Sequence, residues 1–256
     1  MPFPKPSGGF EWAQAPWGAV LRCRPLLGLA DHFFTAGDLT LREDETEWEA
    51  VARAIGVERS RLLLVRQVHG AAAAVRRSDR PDVWRRPDAD VLATDDASSA
   101  LAIRVADCAP VLLADRRLGV VAAAHAGWRG TVQRAAAAAV DALQREFGSD
   151  PADLVAAIGP CLGPCCGEVG DEVLAAFRES GHGDAALDRW FTAGPAGRAY
   201  LDLWAANADQ LVEAGVTPAQ VHVARLCTKT HAAVLHSHRA ARERAGRMAG
   251  VIRPRA

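Results

Sequence analysis

The feature that most constrains the fold is residues 105–131, where two short apolar segments are separated by a few polar residues. Segments 110–114 and 119–124 are too short for helices and rich in Val, Leu and Ala, so each predicts a buried β-strand. Strands joined so closely are expected to form a hairpin. Cys108, before the first strand, and His125, after the second, then lie at the same end of the sheet.

Strand and helix patterns alternate along the rest of the chain. Residues 131–147 carry an apolar stripe at helical spacing and end at Gly148, which predicts a helix, and residues 43–55 predict another. The strand pairs within 62–76 and 110–124 are too close in sequence for helical crossovers. The predicted fold class is therefore α+β: a layered sandwich with a mixed central β-sheet and helices packed outside.

Composition narrows the functional classes. Residues 1–17, rich in Pro and Gly, predict a flexible lead-in, and residues 18–256 a single catalytic domain. The net charge of -1 gives no reason to expect nucleic acid or a membrane surface as a partner. The sequence contains neither a signal-peptide pattern nor an apolar run of about 20 residues. A cytoplasmic location is predicted, where six reduced cysteines favour catalysis or metal binding over disulfides.

Three candidate metal ligands stand at predicted strand ends: His69, Cys108 and His125. Two imidazoles and one thiolate leave a fourth coordination position free, as in catalytic zinc sites. The three residues share no local spacing pattern, so a buried cysteine and hydrogen-bonded histidines are an equally weighted alternative.

The turn after His125 predicts an anion site. Gly127 and Gly130 allow the backbone to approach a ligand, and a helix starting near Thr131 would present free N–H groups. Arg129 adds a planar donor that suits phosphate or carboxylate. A plain strand-to-helix connection explains the same residues equally well.

Several motifs together resemble one family. They are RQVHG (66–70), DADVLATD (88–95), VADCAPVLLAD (105–115), AAAHAGWRGT (122–131), IGPCLGPCCGEVG (158–170) and GRMAGVI (246–252). In this order they resemble the YfiH family, also called the multicopper polyphenol oxidase or laccase-domain family. The resemblance implies a purine nucleoside phosphorylase that also deaminates adenosine, with zinc or copper held by His69, Cys108 and His125. It also implies a layered α+β fold similar to that of a bacterial deamidating toxin.

Further site residues are candidates beside the ligands. Cys108 and His125 are assigned to catalysis with Asp107, which either orients a ligand or moves a proton, or only caps its turn. Gln67, two residues before His69, is expected on the same strand face and is a candidate for substrate binding. Phosphate would be held by Arg129, Arg239 and Arg247.

The cysteines at 161, 165 and 166 lie between Gly-Pro pairs. They lack the paired C-x-x-C spacing of structural zinc sites, so a rigid turn is favoured over a second metal site, with Cys161 lining the pocket.

One departure from the family pattern concerns phosphate. Ala36 stands where the family carries an arginine, which predicts weaker phosphorolysis or a different substrate. The predicted partners remain purine nucleosides and phosphate, with Zn²⁺ or Cu²⁺ as cofactor, and a homodimer is compatible with this assignment.

Three other functions stay open. A metal-free hydrolase or deamidase would use Cys108 as nucleophile and His125 as base. A copper-dependent polyphenol oxidase is disfavoured, because the chain has only eight histidines, and its two methionines offer little for a blue-copper axial ligand. The third is a catalytically silent binding module.

Overall fold

The computed structural model describes residues 3–42, 44–80 and 83–255. Within these ranges the strands are β1 Phe10–Ala15, β2 Gly18–Cys23, β3 Ala30–Thr35, β4 Leu62–Leu63, β5 Ala73–Arg76, β6 Val91–Thr94, β7 Ala100–Val105, β8 Ala109–Asp115, β9 Val121–Ala126, β10 Leu154–Ile158, β11 Glu168–Val169, β12 Phe191–Ala193, β13 Ala199–Leu201, β14 Val221–Val223 and β15 Met248–Pro254. The α-helices are α1 Glu45–Ile55, α2 Trp128–Val132, α3 Ala135–Phe147, α4 Asp171–Glu179, α5 Asp184–Trp190, α6 Leu203–Glu213 and α7 His238–Ala241. None of the helices in the described ranges is long and apolar enough to cross a membrane.

The strands form two six-stranded sheets and one small sheet. The first sheet has the order β1-β2-β3-β15-β7-β4, the second β14-β10-β8-β9-β6-β5 and the third β11-β13-β12. Both large sheets are mixed, because β4 is parallel to β7, while β5 is parallel to β6 and β14 to β10. The predicted α+β class with mixed sheets and outer helices is confirmed, but two large sheets take the place of the single central sheet.

Three apolar clusters show how the layers stack. The middle cluster joins both large sheets, with Phe34 and Ile103 from the first and Leu112 from the second. A second cluster packs α1 on the outer face of the first sheet, and the third packs α3 and α6 on the outer face of the second. The order of the layers is therefore helix, sheet, sheet, helices.

The hairpin of β8 and β9 follows the predicted strands to within two residues at each end. Its side chains alternate between faces: Leu112 and Ala123 belong to the cluster between the sheets, whereas Val111 and Ala124 belong to the cluster under the helices. This period of two is the pleat of a strand buried on both faces. It also decides which face the functional side chains at the strand ends occupy.

The helix predicted over 131–147 is interrupted. It forms as α2 and α3, separated by Arg134 in the left-handed region (φ 61°). The carbonyl of Thr131 accepts a hydrogen bond from Gln210 Nε2 on α6 (2.7 Å), which satisfies this carbonyl at the break. The same carbonyl also accepts the Arg134 N–H at 3.0 Å, so a local turn and a contact from a distant helix meet where the segment breaks.

The prediction of a flexible lead-in over 1–17 is wrong for residues 10–15. These residues form β1, which pairs antiparallel with β2 from Phe10↔Cys23 to Ala15↔Gly18. Phe10 is buried, and the Ser7 N–H donates to the Ala224 carbonyl at 3.1 Å. The many Pro and Gly residues of this segment favoured a loop prediction, although residues 10–15 form a short edge strand. Residues 1, 2 and 43, which were included in the predicted lead-in and first helix, lie outside the described ranges.

His32 in β3 makes the fold sensitive to acid. Its ring is 3% exposed, and Nε2 accepts a hydrogen bond from the Cys23 N–H at 2.9 Å. Burial is the main cause that lowers the pKa of His32 from 6.5 to about 4. The unfolded chain therefore takes up this proton at a higher pH than the folded chain does. The stabilisation is complete above the unfolded pKa and is lost as the pH falls toward the folded one.

We expect this histidine to contribute about 3 kcal/mol to the loss of unfolding free energy between about pH 7 and pH 4. Denaturant unfolding over this pH range should show that the unfolding free energy of His32→Gln falls less steeply with decreasing pH than that of the wild type. His231→Gln, a histidine outside the first sheet, is the control and should keep the wild-type slope. Equal slopes in all three proteins would contradict the assignment.

Candidate metal centre

The structure brings the three predicted ligands together. One potential ligand atom each from His69, Cys108 and His125 lies within 4.8 Å of the others. The two imidazole ring centroids are 4.9 Å apart with an interplanar angle of 71°. The side chains come from three separate segments of the chain, so their convergence is a property of the fold and not of any local motif.

The register of the hairpin places two of these residues. Pro110 pairs with His125 and Ala109 with Ala126, so Cys108 lies just beyond the end of the hairpin, beside His125. Both side chains follow the alternation of Leu112 and Ala123, so they point toward the space between the two large sheets. His69 reaches the same space from the loop that follows β4.

Asp90, which was not predicted as a site residue, holds this arrangement. Asp90 comes directly before β6, the strand that pairs with β9. Its side chain is fully buried, and its Oδ1 lies 2.7 Å from His125 Nδ1. The same carboxylate accepts hydrogen bonds from the N–H groups of Val68 (3.1 Å), His69 (3.0 Å) and Gly70 (2.7 Å). One buried side chain therefore orients one candidate ligand and fixes the loop that carries another.

The pairing between Asp90 and His125 determines which ring nitrogen is available. Because Nδ1 of His125 is engaged by the carboxylate, Nε2 is left for a ligand. Burial raises the pKa of Asp90, but the hydrogen bonds from His125 and Gly70 outweigh it, so the net shift is downward. Asp90 is therefore a carboxylate at neutral pH.

Backbone strain is concentrated at the same place. His69 (φ 63°) and Asp107 (φ 85°) are both in the left-handed region, which costs a residue other than glycine of order 1 kcal/mol or more. The three N–H groups bound to Asp90 hold the first of these turns. Asp107 is held by Thr228 Oγ1 (2.6 Å) and the Arg239 N–H (2.5 Å), which donate to its carboxylate.

Cys108 and His125 form a coupled acid–base pair. Burial raises the pKa of Cys108, but the charge and hydrogen bonds of His125 and His69 outweigh it and lower this pKa to about 6. Burial lowers the pKa of His125, but the Cys108 thiolate and the Asp90 carboxylate raise it to about 9. The two pKa shifts have opposite directions, and both favour the thiolate form of Cys108 and the imidazolium form of His125.

Gly127 allows the backbone to pass close to the thiolate. A Cβ atom at this position would lie 2.5 Å from Cys108 Sγ and 3.7 Å from His69 Cδ2. Its φ of −73° is available to any residue, so the requirement for glycine comes from this close approach.

The donor set fits a metal ion. Two imidazoles and a thiolate are the ligands that zinc takes in catalytic sites, and copper also binds such nitrogen and sulfur donors. A carboxylate on the remote nitrogen of a ligating histidine is the usual outer support of such sites. The three residues face a pocket of about 790 Å³, so the fourth position is open to a substrate.

The pocket has a basic wall and an apolar wall. Arg129, Arg239 and Arg247, predicted for phosphate, all line it. Arg42 and Arg104, which were not predicted, line it too. Burial, followed by the charges of Arg42 and Arg104, lowers the pKa of Arg247, so these three cations lie close enough to repel one another. The apolar wall consists of Trp128, Leu162, Val169, Leu201 and Leu203.

Arg42 lies close in sequence to Ala36, the position where the family pattern has an arginine. Ala36 is buried, with 1% of its surface exposed, and does not line the pocket. Arg42, six residues later, lines the pocket and is fixed by hydrogen bonds from its Nη2 to the carbonyls of Glu243 and Ala245. The segment that lacks the family arginine therefore still supplies a guanidinium to the pocket.

Gln67 and Asp107 line the pocket with their polar groups already engaged. Gln67 Nε2 donates to the Arg104 carbonyl, and its Oε1 accepts from the Arg104 N–H, both at 2.8 Å. Gln67 thus ties the His69 loop to the end of β7. Both Asp107 carboxylate oxygens also have partners, Thr228 and Arg239. These bonds favour a positioning role for both residues.

The prediction that Cys161 lines the pocket is wrong. Cys161 is fully buried and forms a backbone bridge with Cys227. Burial raises the pKa of Cys161 well above its usual range. The Gly-Pro residues around it turn the chain toward the pocket, but its side chain points into the core, where it packs in the cluster under the helices.

The layered fold and the site define a class: an α+β protein with a candidate metal-binding His/Cys group where two large sheets stack. The chain belongs to the family described as multi-copper polyphenol oxidoreductase laccase, whose model matches residues 39–255. A crystal structure of the hypothetical protein YfiH from Bacillus licheniformis is similar, with a TM-score of 0.85 at 29% identity over 97% of this chain and 100% of that chain.

Relatives of the chain carry names that describe an activity, and three of them are compared as follows. Purine nucleoside phosphorylase YlmD of Geobacillus stearothermophilus is 38% identical over 192 residues, 73% of this chain and 69% of the relative. Adenosine deaminase RL5 of an unknown prokaryotic organism is 37% identical over 186 residues, 70% of each chain. A purine nucleoside phosphorylase of Bacteroides thetaiotaomicron is 39% identical over 142 residues, 56% of this chain and only 52% of that relative.

Proposed function

We propose that the chain is a metal-dependent purine nucleoside phosphorylase that also deaminates adenosine. The observation that carries the proposal is the convergence of His69, Cys108 and His125, oriented by Asp90, on a pocket with a basic wall. The activities named for the relatives agree with this chemistry.

The size and walls of the pocket suit a nucleoside with phosphate. A volume of about 790 Å³ lies within the usual range for small-molecule sites. The apolar wall with Trp128 suits the flat face of a purine. Arg129, whose guanidinium lies over the Trp128 ring at 4.1 Å from the ring centre, brings a cation to the border between the two walls. The arginines of the lining suit the charge of phosphate.

Zinc or copper held by His69, Cys108 and His125 would supply Lewis-acid activation of water or of a substrate oxygen. The residues of the chain provide the rest. The arginines place phosphate against the anomeric carbon of the ribose, from which the base departs. Gln67 and Asp107 hold the loops that carry His69 and Cys108, and Asp90 retains the proton on Nδ1 of His125.

A second candidate function rests on a specific observation. The lowered pKa of Cys108 and the raised pKa of His125 favour the thiolate and imidazolium of a Cys–His nucleophile pair, and Asp90 contacts His125 as an orienting group would. A metal-free hydrolase or deamidase would use these residues without any need for His69 as a ligand. The metal content of active protein distinguishes the two functions.

The test of the proposed function is product analysis. Adenosine, inosine and methylthioadenosine are incubated with the protein, with and without phosphate, and the products are separated by chromatography. Free base that forms only with phosphate supports phosphorolysis, and inosine formed from adenosine without phosphate supports deamination. No turnover of any of the three would contradict the proposal.

Arg129→Gln should raise the KM for phosphate about 10- to 100-fold, because a charge-assisted hydrogen bond contributes about 1.5–3 kcal/mol. Deamination of adenosine, which needs no phosphate, should change much less. The control is Arg178→Gln, an exposed arginine on α4 that does not line the pocket. An unchanged KM for phosphate in Arg129→Gln would remove this arginine from the phosphate site.

A further inference from the structure

A second group of sulfur atoms lies close to the pocket lining, since Cys166 directly precedes the lining residue Gly167. Potential ligand atoms of Cys165, Cys166 and Cys227 are all within 4.8 Å of one another, and the Sγ atoms of Cys165 and Cys166 are 3.7 Å apart. Cys165 is exposed, Cys166 is half-buried and Cys227 is 3% exposed. The group is therefore buried on the side of Cys227 and open to solvent on the side of Cys165.

Backbone contacts hold this group in place. Cys227 follows β14, and its segment is tied to Cys161 by two hydrogen bonds, from the Cys161 N–H to the Leu226 carbonyl (3.3 Å) and from the Thr228 N–H to the Cys161 carbonyl (3.0 Å). Cys166 lies in a tight turn closed by its own N–H on the Gly163 carbonyl at 3.0 Å. The three sulfurs are thus brought together by two rigid segments that are distant in sequence.

Gly163 keeps the turn against the cysteine below it. A Cβ atom at this position would lie 2.5 Å from the Trp204 ring and 3.1 Å from Cys227 Cβ. The close approach of the two segments is therefore part of the fold, and it is what brings Cys165 and Cys166 over Cys227.

The surroundings are those of a soft donor set. The neighbouring polar atom is Thr230 Oγ1, 3.4 Å from Cys165 Sγ and 3.6 Å from Cys166 Sγ. Three thiolates select soft ions, of which Cu(I) and zinc are the usual ones in proteins. Structural zinc takes four ligands from Cys and His, whereas this group offers three sulfurs. Among the residues that the structure describes, the group includes no fourth Cys or His, which favours Cu(I) over zinc.

We propose that Cys165, Cys166 and Cys227 form a second metal site, which binds one Cu(I) ion in a trigonal sulfur set. The ion displaces the thiol protons when it binds. The sequence favoured a rigid turn for Cys161, Cys165 and Cys166 because they lack C-x-x-C spacing, and Cys227 lies far from them along the chain.

The second site is connected to the pocket but separate from the first. Arg239 Nη1, on the pocket wall, donates to the Cys166 carbonyl at 3.2 Å. Thr228, next to Cys227, donates to Asp107 Oδ1 at 2.6 Å. An ion on the three sulfurs would therefore lie next to two residues that hold the pocket, but it would share no ligand with the group of His69, Cys108 and His125.

The test is an anaerobic titration of the reduced full-length protein with Cu(I), in competition with a chromogenic Cu(I) chelator. The wild type should bind two equivalents. His69→Ala should bind one, and Cys165→Ser/Cys166→Ser should bind one. A combination of all three substitutions should bind none with comparable affinity. The titration does not depend on activity, so its outcome is separate from that of the proposed function.

Cys23→Ala is the control, because Cys23 is a buried core cysteine in β2, and it should keep both equivalents. Thermal unfolding of each variant shows that the fold is retained. If the wild type binds a single equivalent that His69→Ala abolishes, or if Cys165→Ser/Cys166→Ser still binds two, the second site does not exist.

Discussion

Cys108→Ala is expected to lower kcat/KM for adenosine about 1,000-fold, since Lewis-acid activation of a substrate or water contributes several kcal/mol and each 1.36 kcal/mol is a factor of ten. Cys108 supplies the one thiol among the three candidate ligands, and its lowered pKa favours the thiolate that binds a metal ion. Steady-state kinetics with adenosine, together with the metal content of the variant, measures the effect. Activity within tenfold of the wild type would exclude Cys108 from the centre.

His69→Ala separates the two roles open to Cys108. A metal ligand and a nucleophile are both lost in Cys108→Ala, but His69 is required only by the metal. If the proposed function holds, His69→Ala loses bound metal and activity together. A variant that lacks metal but keeps full activity would support the metal-free Cys–His function instead.

Asp90→Asn is expected to weaken metal binding about 10- to 100-fold, as is typical when the outer support of a ligating histidine is removed. The amide is nearly the same size, but its NH₂ group would meet either His125 Nδ1–H or the N–H groups of the His69 loop. Unpaired buried donors should also reduce the unfolding free energy by about 1–3 kcal/mol. Chelator competition measures the first effect and denaturant unfolding the second.

The control for this variant is Asp88→Asn. Asp88 is two residues away, and its exposed carboxylate pairs with Arg66 at the surface. An exposed pair contributes little, so metal affinity and stability should stay close to the wild-type values. Equal metal affinity in Asp90→Asn and Asp88→Asn would show that Asp90 does not support the centre.

The sequence allowed the neighbourhood of Cys108 and His125 to be predicted, because the central hairpin places both residues at one end of the sheet. Two short apolar strands with a brief reversal have few alternatives, so the shared end of Cys108 and His125 followed from strand geometry. Asp90 was missed for the opposite reason. Its role depends on β6 lying beside β9, and the order of strands within a sheet is set by tertiary packing.

Long-range contacts account for the other differences. The break at Arg134 is stabilised from α6, and β1 is recognisable only once β2 provides its partner. Cys161 lies in a turn beside the pocket, but the bridge to Cys227 directs it into the core. Arg42 and Arg104 lie in stretches without a local motif. Arg104 is on β7 and Arg42 follows β3, and the strand order of the first sheet, which places β7 near β3, is set by tertiary packing.

Anomalous diffraction at the zinc and copper edges, from crystals of the wild-type protein, tests the central claim most directly. We predict a peak at about 2.0–2.3 Å from His125 Nε2, Cys108 Sγ and a ring nitrogen of His69, with its remaining side facing the pocket. Anomalous density at the three cysteines Cys165, Cys166 and Cys227 would be a separate result. Metal-loaded crystals without a peak among His69, Cys108 and His125 would contradict the account.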